Sequence, residues 1–123
     1  MTPRRGEVWR LDTAGFEALA AGRPALAAMT ARLAAKPVLV ISDDTAHARS
    51  AHVTVCPIEP GRSGGTGLLT PVLAKGDPVA GVVNVPMLAN LPKRRLAERV
   101  GELTEASLWR VEVALRAYLG MGT

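Results

Sequence analysis

Aromatic side chains are scarce in this chain: Trp9, Phe16, Trp109 and Tyr118 make up 3% of its 123 residues. A sheet that reads single-stranded nucleic acid by stacking bases on exposed rings needs more of them, so stacking is not expected to dominate recognition. Cysteine is rarer still. Cys56 is the single one, which excludes an internal disulfide, fits a reducing compartment, and reads as core filler within its apolar run. No apolar run approaches the roughly 20 residues of a membrane-spanning helix, and no signal-peptide core follows Arg4 and Arg5. A soluble, cytoplasmic protein with no membrane partner is the expectation. With His47 and His52 the only histidines, and neither H-x-x-x-H nor C-x-x-C spacing, neither a metal site nor a cofactor is expected. Acidic residues are the minority, 11 Asp and Glu against 15 Lys and Arg, for a net charge of +4 and a pI near 10.0. Such a balance suits a polyanionic partner, nucleic acid included, without specifying one.

What is present is organised around Lys36-Pro37-Val38-Leu39-Val40-Ile41-Ser42-Asp43-Asp44. Proline fixes the entry, four apolar and mostly β-branched residues follow, and Ser-Asp-Asp closes the run as a strand feeding a turn. An uninterrupted apolar run of this length asks for burial on both faces, so a central strand is predicted, with Lys36 at its mouth. The chain is long enough for one core, and a single domain over residues 1–123 is expected.

Gly6 to Leu11 reads as the first strand, with Val8 and Trp9 on opposite faces and Trp9 in the core. Residues Ala14 to Ala35 are rich in Ala and Leu, with Leu26, Met29 and Leu33 at helical spacing after Pro24, predicting a helix from about Pro24 to Ala35. Arg23 and Arg32 flank it, as phosphate contacts or as solvated charges. Thr45 to Ala51 reads as a polar turn carrying His47, Arg49 and His52. The histidines are candidates for proton transfer, against the plainer reading of an exposed, idle pair. Val53 to Ile58 makes the next strand, and Glu59 to Gly67 a glycine-rich hairpin connection with no phosphate-loop signature. Leu68 to Leu73 and Val79 to Val85 are two further strand candidates, the second with Val83 and Val85 on one face and Asn84 on the other. Asn90 to Leu96 reads as a turn bearing the basic Lys93-Arg94-Arg95 triplet, and Ala97 to Leu103 as a last strand. Thr104 caps a helix to about Leu119, with Leu108, Val111, Leu115 and Tyr118 on one stripe and Gly120 at its end. Strands with one terminal helix indicate a curled antiparallel sheet with the helix packed on it.

Arg5-Gly6-Glu7-Val8-Trp9, the Lys36–Asp44 run and Lys93-Arg94-Arg95-Leu96, in that order, resemble the MazF/PemK toxins of type II toxin–antitoxin systems. Members carry an RGE/D-V-W opening, then R-P-V-L-V-I-S-N-D, a strand ending V-P-I/V-T, and a K-R-L stretch before the last helix. The resemblance implies an SH3-like curled antiparallel barrel of the MazF/Kid/CcdB type with a C-terminal helix, here with an extra Ala-rich helix in the first inter-strand connection. That connection covers the substrate groove in the relatives, so the insertion is a lid, a docking surface or only a longer link. The resemblance further implies a homodimer, for which Trp109 and Val113 offer an i, i+4 pair, and a cognate antitoxin as partner. The implied activity is that of a metal-independent mRNA interferase acting on single-stranded RNA.

Position by position, the family's Arg before the P-V-L-V strand is Lys36, the Thr ending the next strand is Glu59, and Val85-Pro86-Met87-Leu88-Ala89 replaces a polar cluster. Lysine keeps the charge without the planar fork of guanidinium. Glu59 cannot donate as a hydroxyl does when ionised, but it can act as a base. Lys36, Glu59 and His47 are thus the catalytic candidates, and Arg23, Arg32, Arg49 and Asn84 the RNA-binding ones. Two alternatives stand beside the nuclease: a catalytically impaired relative that binds RNA or an antitoxin, and a gyrase-targeting toxin of the CcdB kind, which shares the fold.

Overall fold

The computed structural model describes residues 2–12, 21–25, 36–60 and 67–122. Its strands are β1 (Glu7–Leu11), β2 (Val38–Val40), β3 (His52–Glu59), β4 (Val82–Val83), β5 (Ala89–Pro92) and β6 (Leu96–Glu102), with helices α1 (Asp44–His47) and α2 (Glu105–Leu119) and two 3-10 turns, Val85–Met87 and Lys93–Arg95. All pairings are antiparallel, in the order β4-β3-β2-β1-β6, with β5 also on β3.

β2 is the middle of that order, and both of its faces are buried. Val38 and Val40 enter one core with Trp9, Leu11, Val53, Val55, Leu91 and Leu96. Leu39 and Ile41 enter another with Val8, Cys56, Ile58, Val83, Val85 and the α2 residues Val111, Ala114 and Leu115. Strand alternation assigns each residue to its side. The first group is the inside of a curl, the second the seam between the sheet and α2.

The connection from β5 to β6 forces the curl. Pro92 sits beside His52, level with position 43 of the β2 register, and Leu96 beside Leu11, level with position 36. On a flat sheet those ends would lie about 30 Å apart, from four strand spacings across and seven residues along. The chain from Pro92 to Leu96 reaches at most about 14 Å. The sheet therefore bends until Leu91 and Leu96 meet over Val38 and Val40, although β5 and β6 do not pair and it stays open.

Several expectations need correction. Leu68 to Leu73 is not a strand: Pro71 has no N–H to give, and only Val72 bridges to Val82. The strand expected over Val79 to Val85 shrinks to Val82–Val83. Gly81 precedes it at φ +142°, where an added Cβ would run into the Glu59 carbonyl. Asn90 to Pro92, expected to open a turn, belongs instead to the strand Ala89–Pro92. Thr45 to Ala51 is not simply a turn, because Asp43 caps α1 by accepting from the Thr45 amide at 3.0 Å. On α2, Tyr118 is exposed, and the buried residues are Ser107, Val111, Ala114 and Leu115. Trp109 is 65% exposed. The α2 ends are as expected: Thr104 Oγ1 accepts from Ser107 N at 3.2 Å, and Gly120 adopts the left-handed conformation at φ +69°. Most of the expected helix over Pro24 to Ala35 and of the glycine-rich connection lies outside the described residues.

Two carboxylates tie the sheet to its surroundings. Glu7, 6% exposed, accepts from Arg4 N at 2.8 Å, Trp9 Nε1 at 3.1 Å and Arg99 Nε at 2.6 Å. Asp77 accepts from Ser107 Oγ at 2.5 Å, Thr104 N at 2.8 Å and Ala74 N at 2.7 Å, anchoring the start of α2. Burial alone pushes both pKa values up, but the donors outweigh it and hold both below the ordinary carboxylate range. A depressed folded pKa contributes stability that is present above the unfolded value and lost as pH falls through the folded one. The urea midpoint is therefore expected to be flat near neutrality and to fall below about pH 4. Asp77→Asn should lower the unfolding free energy by about 2 kcal/mol at pH 7 and flatten the acid limb. An unchanged acid limb in both Asp77→Asn and Glu7→Gln would rule out this role.

Candidate functional site

The register of β3 with its two neighbours builds a polar cluster at one end of the curled sheet. Val38 faces Pro57, and Ile58 N donates to Pro37 O at 2.9 Å, so the next position along sets Lys36 opposite Glu59. On the other side Glu59 faces Val82, and Asn84 N donates to Pro57 O at 3.0 Å, which puts Asn84 diagonal to Glu59. Pro57 offers no N–H of its own, and at this point the 3-10 turn Val85–Met87 carries the chain off the edge of β3 before β5 resumes it. Cys56, Ile58, Val83 and Val85 all point toward α2. Alternation therefore turns Lys36, Glu59 and Asn84 to the inner side, at its rim.

Their side chains meet. Lys36 Nζ donates to Glu59 Oε1 as a charged pair, and Asn84 Nδ2 donates to Glu59 Oε2 at 3.2 Å. The lysine and glutamate side chains are 20% and 29% exposed. Water reaches this pair, but less than it reaches a surface pair, so the attraction is only partly screened. The trio offers a carboxylate that can accept a proton, an ammonium that can stabilise negative charge, and an amide that can donate.

The other candidates lie elsewhere. His47 follows β2 at its far end, about 20 Å of extended chain from Lys36, and is fully buried. The Pro3 carbonyl, 2.8 Å from Nδ1, can only accept, so Nδ1 carries a proton. Ser42 Oγ accepts from Thr54 N at 3.0 Å and lies 2.5 Å from Nε2, to which its hydroxyl donates in the neutral ring. Lys93 Nζ donates to the His47 carbonyl, and Asp44 Oδ1 accepts from Arg5 N at 2.7 Å. His47 thus pins the N-terminal segment to the β2–β3 connection; the expectation of a catalytic His47 is corrected on burial and position, and that of an idle exposed one on burial. Lys93 is spent on the same knot, so the basic triplet does not act as one free patch. Arg49 is exposed just beyond this knot, at the end away from the trio, and Arg23 is exposed in the stretch 21–25. Arg32 lies outside the described residues. Burial pushes the Cys56 thiol up to about 12, leaving it an inert part of the core. Among the described residues, no three His, Cys, Asp or Glu side chains gather as a metal-binding group, and no helix is long and apolar enough to cross a membrane.

A strongly curled, open antiparallel sheet with α2 packed on its outer face and a polar rim where the second strand begins define a small curled-sheet domain. The PemK-like, MazF-like toxin model of type II toxin–antitoxin systems matches residues 4–119, and the chain belongs to that family. Among solved structures, an endoribonuclease from a mycobacterial species is similar at 26% identity with a TM-score of 0.74, over 98% of this chain and 93% of that one. A mycobacterial endoribonuclease in complex with its cognate antitoxin matches at 26% identity and a TM-score of 0.75, over 98% of both chains. A MazE–MazF structure from Deinococcus radiodurans shares the fold at 23% identity and a TM-score of 0.70, over 99% of each chain. A comparison with curated protein sequences finds no match.

If His47 is a structural knot, His47→Ala removes a buried ring and takes the partner from the Pro3 carbonyl and from the Ser42 hydroxyl proton, an expected loss of about 3 kcal/mol of unfolding free energy. A chemical-denaturation curve superimposable on wild type would contradict the knot.

Proposed function

We propose that this chain is the toxin of a type II toxin–antitoxin pair, a cytoplasmic endoribonuclease that cleaves single-stranded RNA at the rim formed by Lys36, Glu59 and Asn84. The observation that carries the reading is that a cation and a carboxylate, opposite in register, share one rim with an amide donor in a chain of this family. Endoribonucleases of 26% identity over nearly the whole chain support it.

Glu59 takes the proton of the ribose 2′-hydroxyl, and the 2′-oxygen attacks the adjacent phosphorus. Lys36 stabilises the charge that builds on the non-bridging oxygens. The 5′-oxygen leaves with a proton from solvent, giving a 2′,3′-cyclic phosphate and a 5′-hydroxyl. Trp109, Leu119 and Met121, all more than half exposed, give a second copy and an antitoxin apolar surface to cover.

The Lys36–Glu59 contact itself favours a second reading, in which the charge is already neutralised and the rim binds RNA or antitoxin without cleaving. A long RNA incubated with purified protein in EDTA separates the two. Discrete fragments ending in cyclic phosphate are expected; intact RNA with a salt-sensitive mobility shift would leave only the binder. Lys36→Ala should lower cleavage about 100-fold, with Lys36→Arg retaining most of it. Equal behaviour of these two variants would remove Lys36 from the site. Glu59→Gln should lower the rate by about 100-fold or more. His47→Ala, assayed below its melting temperature, should still cleave.

A further inference from the structure

With this rim taken, as proposed above, to be where an RNA phosphate docks, one feature of its geometry stands apart from the chemistry. Lys36 and Asn84 do not point at the same atom of Glu59. The ammonium meets Oε1 and the amide meets Oε2, so two donors on opposite flanks of β3 hold the two oxygens of one planar anion. A phosphodiester presents two non-bridging oxygens of the same kind, at similar separation and with the same single negative charge. We infer that Lys36 and Asn84 form an oxyanion cradle and that the Glu59 carboxylate is its built-in occupant, which an RNA phosphate has to displace.

The backbone makes this occupancy the resting state. Extending the β2–β3 register sets Lys36, two residues before β2, opposite Glu59 at the end of β3, and Asn84, just after β4, is the diagonal neighbour on the far side, so no strand has to move for the three to meet. Gly81 lets β4 approach so closely that its missing side chain leaves room for the Glu59 carbonyl. The side chain is anchored differently from the backbone: among the described residues it is held by the Lys36 ammonium and the Asn84 amide, both on flexible side chains, and it is 29% exposed. Rotating the glutamate away exposes a cation and an amide already spaced for two oxygens. The displaced carboxylate remains close enough to meet a 2′-hydroxyl. The same residue therefore weakens binding and serves the proton transfer, so its two effects oppose one another in a variant.

Binding is read with a labelled, all-2′-deoxy oligonucleotide of random sequence, which lacks the nucleophile and cannot be cleaved. Glu59→Gln and Glu59→Thr should both bind it roughly tenfold more tightly than wild type, the scale of one charge-assisted hydrogen bond released from competition. The plot of log affinity against log salt should steepen by about 0.7, because one more cation becomes available to a phosphate. Made in the Lys36→Ala background, Glu59→Gln should bring no gain over Lys36→Ala alone; a roughly tenfold gain that persists there comes only from net charge and overturns the cradle. Unchanged or weaker binding by both single variants, with melting temperatures confirming that they fold, overturns it as well, even if the wild-type protein cleaves RNA. Conversely, wild-type protein that leaves RNA intact in EDTA sinks the nuclease reading, while tighter binding by the Glu59 variants still upholds the cradle.

Discussion

Everything at the candidate site depends on β2 being buried on both faces. A strand with one wet face tolerates a slip in register, whereas Val38, Leu39, Val40 and Ile41 have no exposed side to slip toward. A shift of one residue would exchange the two cores. Because that exchange is so costly, the register with β3 is fixed, and a fixed register leaves Lys36 facing Glu59. The polar rim is thus a consequence of apolar packing several residues away, and the site inherits its geometry from the core.

The same constraint separates the two ends of the curl. At the start of β2, polar side chains converge at a rim that water still reaches. At its end, the half-buried Ser42 and the buried Pro3 are tied to the buried His47 ring, and Lys93 closes over the knot. One end is held by hydrogen bonds that converge on the buried His47 and sets where the N-terminal segment runs. The other is held by an ion pair that is only partly desolvated, so its charges stay within reach of solvent. The three-residue bridge from β5 to β6 keeps the two ends on one small object by drawing opposite edges of the sheet together.

Much of this was legible in the sequence because the signals were local. The proline-led β-branched run, the Thr104 cap and the Gly120 stop each declare their element within a few residues, and the family resemblance put Lys36 and Glu59 forward. What escaped was set by distance along the chain. His47 looked like a turn residue because its partner, Pro3, is 44 positions away. Ala89-Asn90-Leu91-Pro92 carries no β-branched residue and ends in proline, so only its pairing with β3 makes it a strand. Leu68 to Leu73 had the composition of a strand, but Pro71 confines it to a single bridge. The Lys36–Glu59 contact was within reach of counting: once β2 and β3 are taken as antiparallel neighbours, pairing Val38 with Pro57 puts the two charges opposite one another.

The most direct test of that claim is a double-mutant cycle on unfolding free energy with Lys36→Ala, Glu59→Ala and the pair. A side-chain contact set by the β2–β3 register requires the two sites to couple, by about 1 kcal/mol or more in low salt, falling as salt rises. Additivity of the two single effects to within about 0.3 kcal/mol would mean that the charges do not meet, and the rim as described would not exist.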